Sequence, residues 1–102
     1  MINAVEFEGE LIEAEPLRFT PGGVAVVRFK LNHRSRRVEA SSERDIECEL
    51  GVLAINTDAK MMSSVALGSI VKVTGYLDRK GKSNKQVVLH ALDIELVAVN
   101  KI

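Results

Sequence analysis

The sequence predicts an all-β domain, a five-stranded Greek-key barrel with at most one short helix between the third and fourth strands. Three observations carry this. Apolar residues recur with a period of two along most of the chain, which is the signature of half-buried strands. Turn residues separate the periodic runs. Glycines fall within or just behind the strands, where a small barrel must bend sharply. With 102 residues, the chain is one domain spanning 1–102, long enough for a single modest core.

The first strand lies near residues 4–14, with Val5, Phe7 and Leu11 opposing Glu6, Glu8 and Glu10; Gly9 marks a bulge or sharp bend. Thr20-Pro21-Gly22-Gly23 is a tight reversal into the second strand, 24–32. There Ala25, Val27, Phe29 and Leu31 alternate with Arg28, Lys30 and Asn32. The polar stretch His33 to Arg44 reads as a long hairpin loop. The third strand, 45–55, sets Ile46, Cys48, Leu50 and Val52 against Glu47 and Glu49, so Cys48 is expected as a small buried core residue. Asp58 is a candidate cap for a short helix ending near Leu67, with Gly68 as its stop. In the fourth strand, 69–77, Val71 and Val73 oppose Lys72 and Thr74, with Gly75 behind them. Lys80-Gly81-Lys82-Ser83-Asn84 forms the last hairpin loop. The fifth strand, about 86–98, opens on Val87-Val88-Leu89, and its mixed parity suggests burial on both faces. An SH3-like barrel or small sandwich shares the strand count. The strand–helix–strand order before Leu67-Gly68-Ser69-Ile70-Val71-Lys72-Val73-Thr74-Gly75 favours the OB-fold.

The formal net charge is zero, with 14 basic and 14 acidic residues, but the charges are segregated. The first fifteen residues hold five acids and no base, and residues 28–37 hold Arg28, Lys30, Arg34, Arg36 and Arg37 and no acid. Residues 79–85 add Arg79, Lys80, Lys82 and Lys85. A polyanion senses charge within roughly 8–10 Å, so local distribution outweighs the sum. No stretch approaches the ~20 apolar residues of a membrane-spanning helix. Met1-Ile2-Asn3-Ala4 lacks the basic and apolar regions of a secretion signal, and the lone Cys48 forms no internal disulfide. Together these point to a soluble cytoplasmic protein.

Catalysis finds no support. His33 and His90 lie far apart and beside no ligand set at metal spacing, and no nucleophile elbow or phosphate-cradling glycine motif occurs. Neither a metal nor a cofactor is implied. Binding is better supported. Arg28, Lys30, Asn32 and Arg34 share one parity and line an outer face, able to neutralise phosphates. The opposing reading for Arg28 and Lys30 is pairing with Glu47 and Glu49 across the hairpin. Arg34, Arg36 and Arg37 lie beyond the expected paired region and are freer for phosphate. The last hairpin loop, with Lys80, Lys82 and Lys85, flanks the ligand face of an OB-fold, and Arg18 extends the track from the first loop. Phe7 and Phe29 sit on core parity, leaving Phe19 and Tyr76 as candidates for base stacking. Tyr76 shares its face with Lys72 and Thr74, and a dimer contact or surface packing suits it equally.

Arg18-Phe19-Thr20-Pro21-Gly22-Gly23-Val24, followed by Phe29, resembles the first hairpin of bacterial single-stranded-DNA-binding proteins. Phe29-Lys30-Leu31-Asn32-His33-Arg34-Ser35 and Val88-Leu89-His90-Ala91-Leu92-Asp93-Ile94-Glu95-Leu96 resemble, more narrowly, the primosomal replication protein N family within that group. The resemblance implies a homodimer of OB-folds that binds single-stranded DNA in replication restart, beside the restart helicase PriA and a helicase-loading primosome protein. It carries DNA contact onto Arg18, Arg34 and the loop of Lys80, Lys82 and Lys85. The chain departs from the family at Glu47, before Cys48, where a tryptophan can stand, and at Ser42, where an aromatic is expected. Weaker, more salt-sensitive binding follows, since a carboxylate cannot stack and repels phosphate. Two alternatives remain. One is a general single-stranded-DNA coat protein, which usually continues into a long tail with acidic end residues. The other is a protein-interaction adaptor, favoured by Glu6, Glu8 and Glu10.

Overall fold

The computed structural model describes residues 1–101. In chain order the elements are β1 (Val5–Ala14), β2 (Arg18–Phe19), β3 (Ala25–Glu39), β4 (Ser42–Ile55), α1 (Asn56–Met62), β5 (Ile70–Gly81) and β6 (Asn84–Ala98). The strands run β1-β5-β6-β4-β3-β2, and a further β1–β3 pairing closes five of them into the predicted OB-fold barrel. The two-residue β2 is an appendage on β3, pairing Arg18 with Val26 and Phe19 with Ala25.

Alternation gives each strand one inward face. Leu11, Val27, Phe29, Leu31, Val52, Val71, Val73, Leu89 and Ile94 are buried together, and Ala59 and Met62 of α1 turn into the same core. Closure requires β1 to change neighbours midway. Its first half pairs with β5, and from Glu10 onward it pairs with β3. Gly9 sits at this exchange, where an added Cβ would lie 2.9 Å from the Asn32 carbonyl oxygen. The irregularity in register falls just beyond, between Leu11 and Glu13. A second one, between Thr74 and Gly75 on β5, presses Gly75 so close to β6 that a Cβ would overlap the His90 carbonyl oxygen.

The largest departure from expectation is in the hairpins. The predicted long loop from His33 to Arg44 is a two-stranded ribbon, paired continuously from Val26↔Ile55 to Glu39↔Ser42. Its turn is only Ala40-Ser41, with φ of 50° and 66°. Two successive positive φ values match the twist of a two-residue hairpin, though Ala-Ser lacks the usual asparagine–glycine signal. The last hairpin is likewise tighter than expected, turning through Lys82-Ser83 with Gly81↔Asn84 paired.

Other expectations are corrected on a smaller scale. Helix α1 begins earlier than Asp58, at Asn56 with φ of 57°, behind an Ile55 cap position that makes no side-chain bond. Asp58 therefore lies in the first turn, where burial and neighbouring Asp93 push its carboxyl above the usual range. The helix stops at Met62 because Ser63 Oγ donates to the Lys60 carbonyl at 2.7 Å and Ser64 Oγ to that of Met61 at 3.0 Å. Gly68, φ 91°, turns the chain into β5 instead, exchanging backbone bonds with Leu11 alongside Ser69. On β6 only Val88 and Leu89 are consecutively buried, at the point where β6 is flanked by both β5 and β4; Val87, Leu92 and Leu96 are exposed.

Cys48 is exposed, not buried. It keeps core parity with Leu50 and Val52, but the ribbon has left the barrel by this point and no opposing sheet covers it. Replacing Gly75 by alanine should cost about 3 kcal/mol or more, because backbone, not a flexible side chain, blocks the new methyl. Gly51→Ala, whose Cβ meets only the Val88 side chain at 3.7 Å, should cost under about 1 kcal/mol. Urea denaturation of both variants measures the contrast.

Candidate nucleic-acid interface

The outer face of β3 begins on the barrel wall with Arg28 and Lys30. Register sets Arg28 against Leu53 and Lys30 against Gly51 on β4, four residues beyond the glutamates proposed from sequence. The position of the turn at Ala40-Ser41 causes this shift: it lies two residues later than the centre of the expected loop 33–44, so each β3 residue faces a β4 residue four places further on. The small Gly51 leaves a depression beside Lys30. Across it stand the β5–β6 hairpin residues Lys80, Gln86, Val87 and Val88, and Glu13 and Glu15 rim the other side. The resulting cleft of about 260 Å³ joins Arg28, Lys30 and Lys80 from separate segments. Gln86 was not foreseen, because nothing in its local pattern distinguishes it from other polar hairpin residues.

Within the cleft, Lys30 Nζ lies 3.6 Å from Glu13 and 3.9 Å from Glu49. Arg28 joins no ion pair among the described residues, and the same holds for Arg18, Arg37, Arg79, Lys80, Lys82 and Lys85. Lys82 forms the turn of the last hairpin and Lys85 lies just beyond it; neither lines the cleft.

Further along β3 the ribbon places a carboxylate against each outward arginine. Arg34 Nε donates to Glu47 Oε2 at 2.8 Å, and Asn32 Nδ2 donates to the same oxygen at 3.2 Å. These bonds and the arginine charge hold the Glu47 carboxyl below its ordinary range. Arg36 Nε donates to Asp45 at 2.9 Å and its Nη1 to Glu43 at 3.4 Å. The expectation that Arg34 and Arg36 lie beyond the paired region is thus corrected: strand pairing continues to the turn and brings acids opposite. Arg37 occupies the other ribbon face, directly across from Arg44, which pairs with Glu39 at 2.7 Å. Exposed pairs of this kind contribute about 0–1 kcal/mol each, weak enough for a phosphate to displace.

The aromatic residues divide as their parity foretold. Phe29 is buried and Phe7 packs against the core, its ring 5.1 Å from His33. His33 Nδ1 donates to the Glu8 carbonyl at 2.6 Å, and its Nε2 is hydrogen-bonded to Ser35 Oγ at 2.8 Å. That linkage gives His33 a structural use at the exit of the ribbon. Tyr76 is stacked on His90, with centroids 5.0 Å apart and planes 11° from parallel. It belongs to the outward row Arg28–Leu53–His90–Tyr76, three strand spacings from Arg28, or roughly 14 Å, and stands outside the cleft. Phe19 is 61% exposed beside Arg18 on β2.

Beyond Tyr76, β1, β5 and β6 carry the rows Glu6–Thr74–Asp93 and Glu8–Lys72–Glu95. Lys72 bonds Glu95 at 3.1 Å, and that bond, with Glu95, Glu6 and Glu8 nearby, raises its pKa. With Glu6, Glu8, Asp93 and Glu95 set against Lys72, this wall of the barrel is acidic.

Comparison with known proteins agrees with this architecture. Residues 3–93 match the family described as "Another single-strand binding protein family". The chain is 34% identical over 95 residues to the replication restart protein PriB of Nitrosomonas europaea, covering 93% of this chain and 88% of the relative. It is 34% identical over 98 residues to PriB of Vibrio vulnificus, covering 92% and 97%. Among solved structures, PriB from Ralstonia solanacearum superposes with a TM-score of 0.84 at 29% identity, over 94% of this chain and 98% of that one. The single-stranded DNA binding protein of Thermus aquaticus gives 0.78 at 25% identity, over 94% and 50%. With its barrel, its hairpins and nearly its whole length matched, the chain belongs to the single-strand binding protein family and resembles the PriB proteins within it.

Proposed function

We propose that this protein binds single-stranded DNA without chemistry, as a component of the machinery that restarts stalled replication forks. The observation that carries the reading is the cleft where Arg28 and Lys30 of β3 meet Lys80 of the β5–β6 hairpin. A flexible polyanion laid there meets cations from two segments, and the unpaired Lys82 and Lys85 extend the track at the hairpin tip. Arg37 and Arg18 offer continuations along the ribbon and the first loop. Arg34 and Arg36 contribute once their carboxylates are displaced. Tyr76, with one ring face against His90, is the least suited of the proposed contacts.

The PriB resemblance supports a homodimer and assembly with the restart helicase PriA and a helicase-loading primosome protein. The half of β1 from Val5 to Phe7 pairs only with β5 among the described residues, which leaves a backbone edge for a second copy. The acidic rows on β1, β5 and β6 favour a second reading, an adaptor that docks basic protein surfaces.

Fluorescence anisotropy with labelled oligo-dT and an equal-length duplex, across a salt series, separates the readings. The single strand should bind more tightly, with affinity falling steeply as salt rises, by a log–log slope of about −0.7 per neutralised phosphate. Arg28→Ala combined with Lys80→Ala should weaken binding about tenfold and flatten the slope by roughly 1.4. No binding in dilute buffer, or equal affinity for duplex, would defeat the DNA reading and leave the adaptor.

A further inference from the structure

The two basic arms are not equivalent. In the β5–β6 hairpin, Arg79, Lys80, Lys82 and Lys85 take part in no ion pair among the described residues. On the β3–β4 ribbon, the outward face pairs Asn32↔Glu49, Arg34↔Glu47, Arg36↔Asp45 and Val38↔Glu43. Two arginines therefore share a surface with four acids, and each is engaged by at least one of them. We propose that Glu47, Asp45 and Glu43 are built-in competitors of DNA phosphate, which hold Arg34 and Arg36 in the free protein and so set how strongly the ribbon engages a strand. This rests on the single-strand-binding reading and specifies how that site is controlled.

The geometry suits exchange. Arg34 and Glu47 side chains are 76% and 57% exposed, and Arg36 and Asp45 are 68% and 81% exposed, so water and an incoming phosphate reach both partners. Glu47 is held from two sides, by Arg34 and Asn32, and Arg36 spans two acids. A carboxylate accepts the same guanidinium donors that a phosphate accepts. Binding at the ribbon is then a replacement of one anion by another, with little net gain in charge contact. The unpaired cations at the cleft and hairpin tip make the first capture, and the ribbon joins only as its carboxylates yield.

The test compares oligo-dT affinity, by anisotropy across a salt series, in three proteins. One is wild type. The second is Glu43→Gln/Asp45→Asn/Glu47→Gln. The third, Glu6→Gln/Asp93→Asn/Glu95→Gln, removes the same charge from the β1–β5–β6 wall. Thermal melts by circular dichroism establish that each is folded. The ribbon variant should bind about tenfold more tightly at low salt and steepen the log–log slope by roughly 1.4, for two freed arginines. The wall variant should gain no more than about threefold, by long-range charge alone. Arg34→Ala/Arg36→Ala should cost little in the wild type and about tenfold in the ribbon variant. Equal gains in the two variants, or an arginine cost that is the same in both backgrounds, would overturn the competition while leaving single-strand binding intact. Failure of both wild type and ribbon variant to bind oligo-dT in dilute buffer would remove the binding reading and this inference together.

Discussion

The narrowest seam of the barrel governs the rest of the molecule. Strands β4 and β6 meet in parallel through only Val52↔Leu89 and Leu53↔His90. Every other junction between the five barrel strands is antiparallel and longer. A seam this short fits a small core built mostly of leucine, valine and alanine, with Phe29, Met62 and Ile94, and both hairpins overrun the barrel. At about 3.3 Å per residue, the 15-residue strands β3 and β6 exceed what the core can cover. The long axis of 52 Å against a short one of 21 Å records that overrun.

Where the core ends, the chemistry of each strand changes. Inward positions on β3 pass from Phe29 and Leu31 to His33, Ser35 and Arg37, and on β4 from Val52 and Leu50 back to Cys48 and Ile46. The projecting β3–β4 ribbon has little hydrophobic surface to bury. That ribbon holds together through backbone pairing and cross-strand ion pairs, which are individually weak. The same lack of burial keeps its cations hydrated and open to phosphate. Projection beyond the core is thus the physical source of both the ribbon's charge and its availability to a ligand.

The barrel was largely legible because period-two alternation reports burial directly. Ala25, Val27, Phe29 and Leu31 read as one buried face, and so they are. The hairpins were not, since residues 33–44 are polar on both faces and polarity resembles a loop. Ala-Ser carries no conventional turn signal either, so the register that places Glu47 against Arg34 was hidden. The error at Cys48 has the same origin: alternation continues after the core stops, and parity alone does not say where that happens. For the site, charge and strand parity point to Arg28 and Lys30, with pairing to glutamates as an even alternative, and hairpin placement points to Lys80. Gln86 and the cleft beside Gly51 depend on three-dimensional approach between β4 and the last hairpin, which local pattern does not encode.

The proposed strand-binding surface is the β3–β4 outer face with the adjoining β5–β6 tip, set apart from the acidic β1–β5–β6 wall. Backbone amide chemical-shift mapping by NMR, titrating oligo-dT into isotopically labelled protein, addresses it directly. The account predicts the largest shifts at Arg28, Lys30, Gly51 and the segment 80–86, with quiet amides at Glu6, Glu8, Thr74 and Glu95. Shifts concentrated on that acidic wall, with the cleft unmoved, would contradict it.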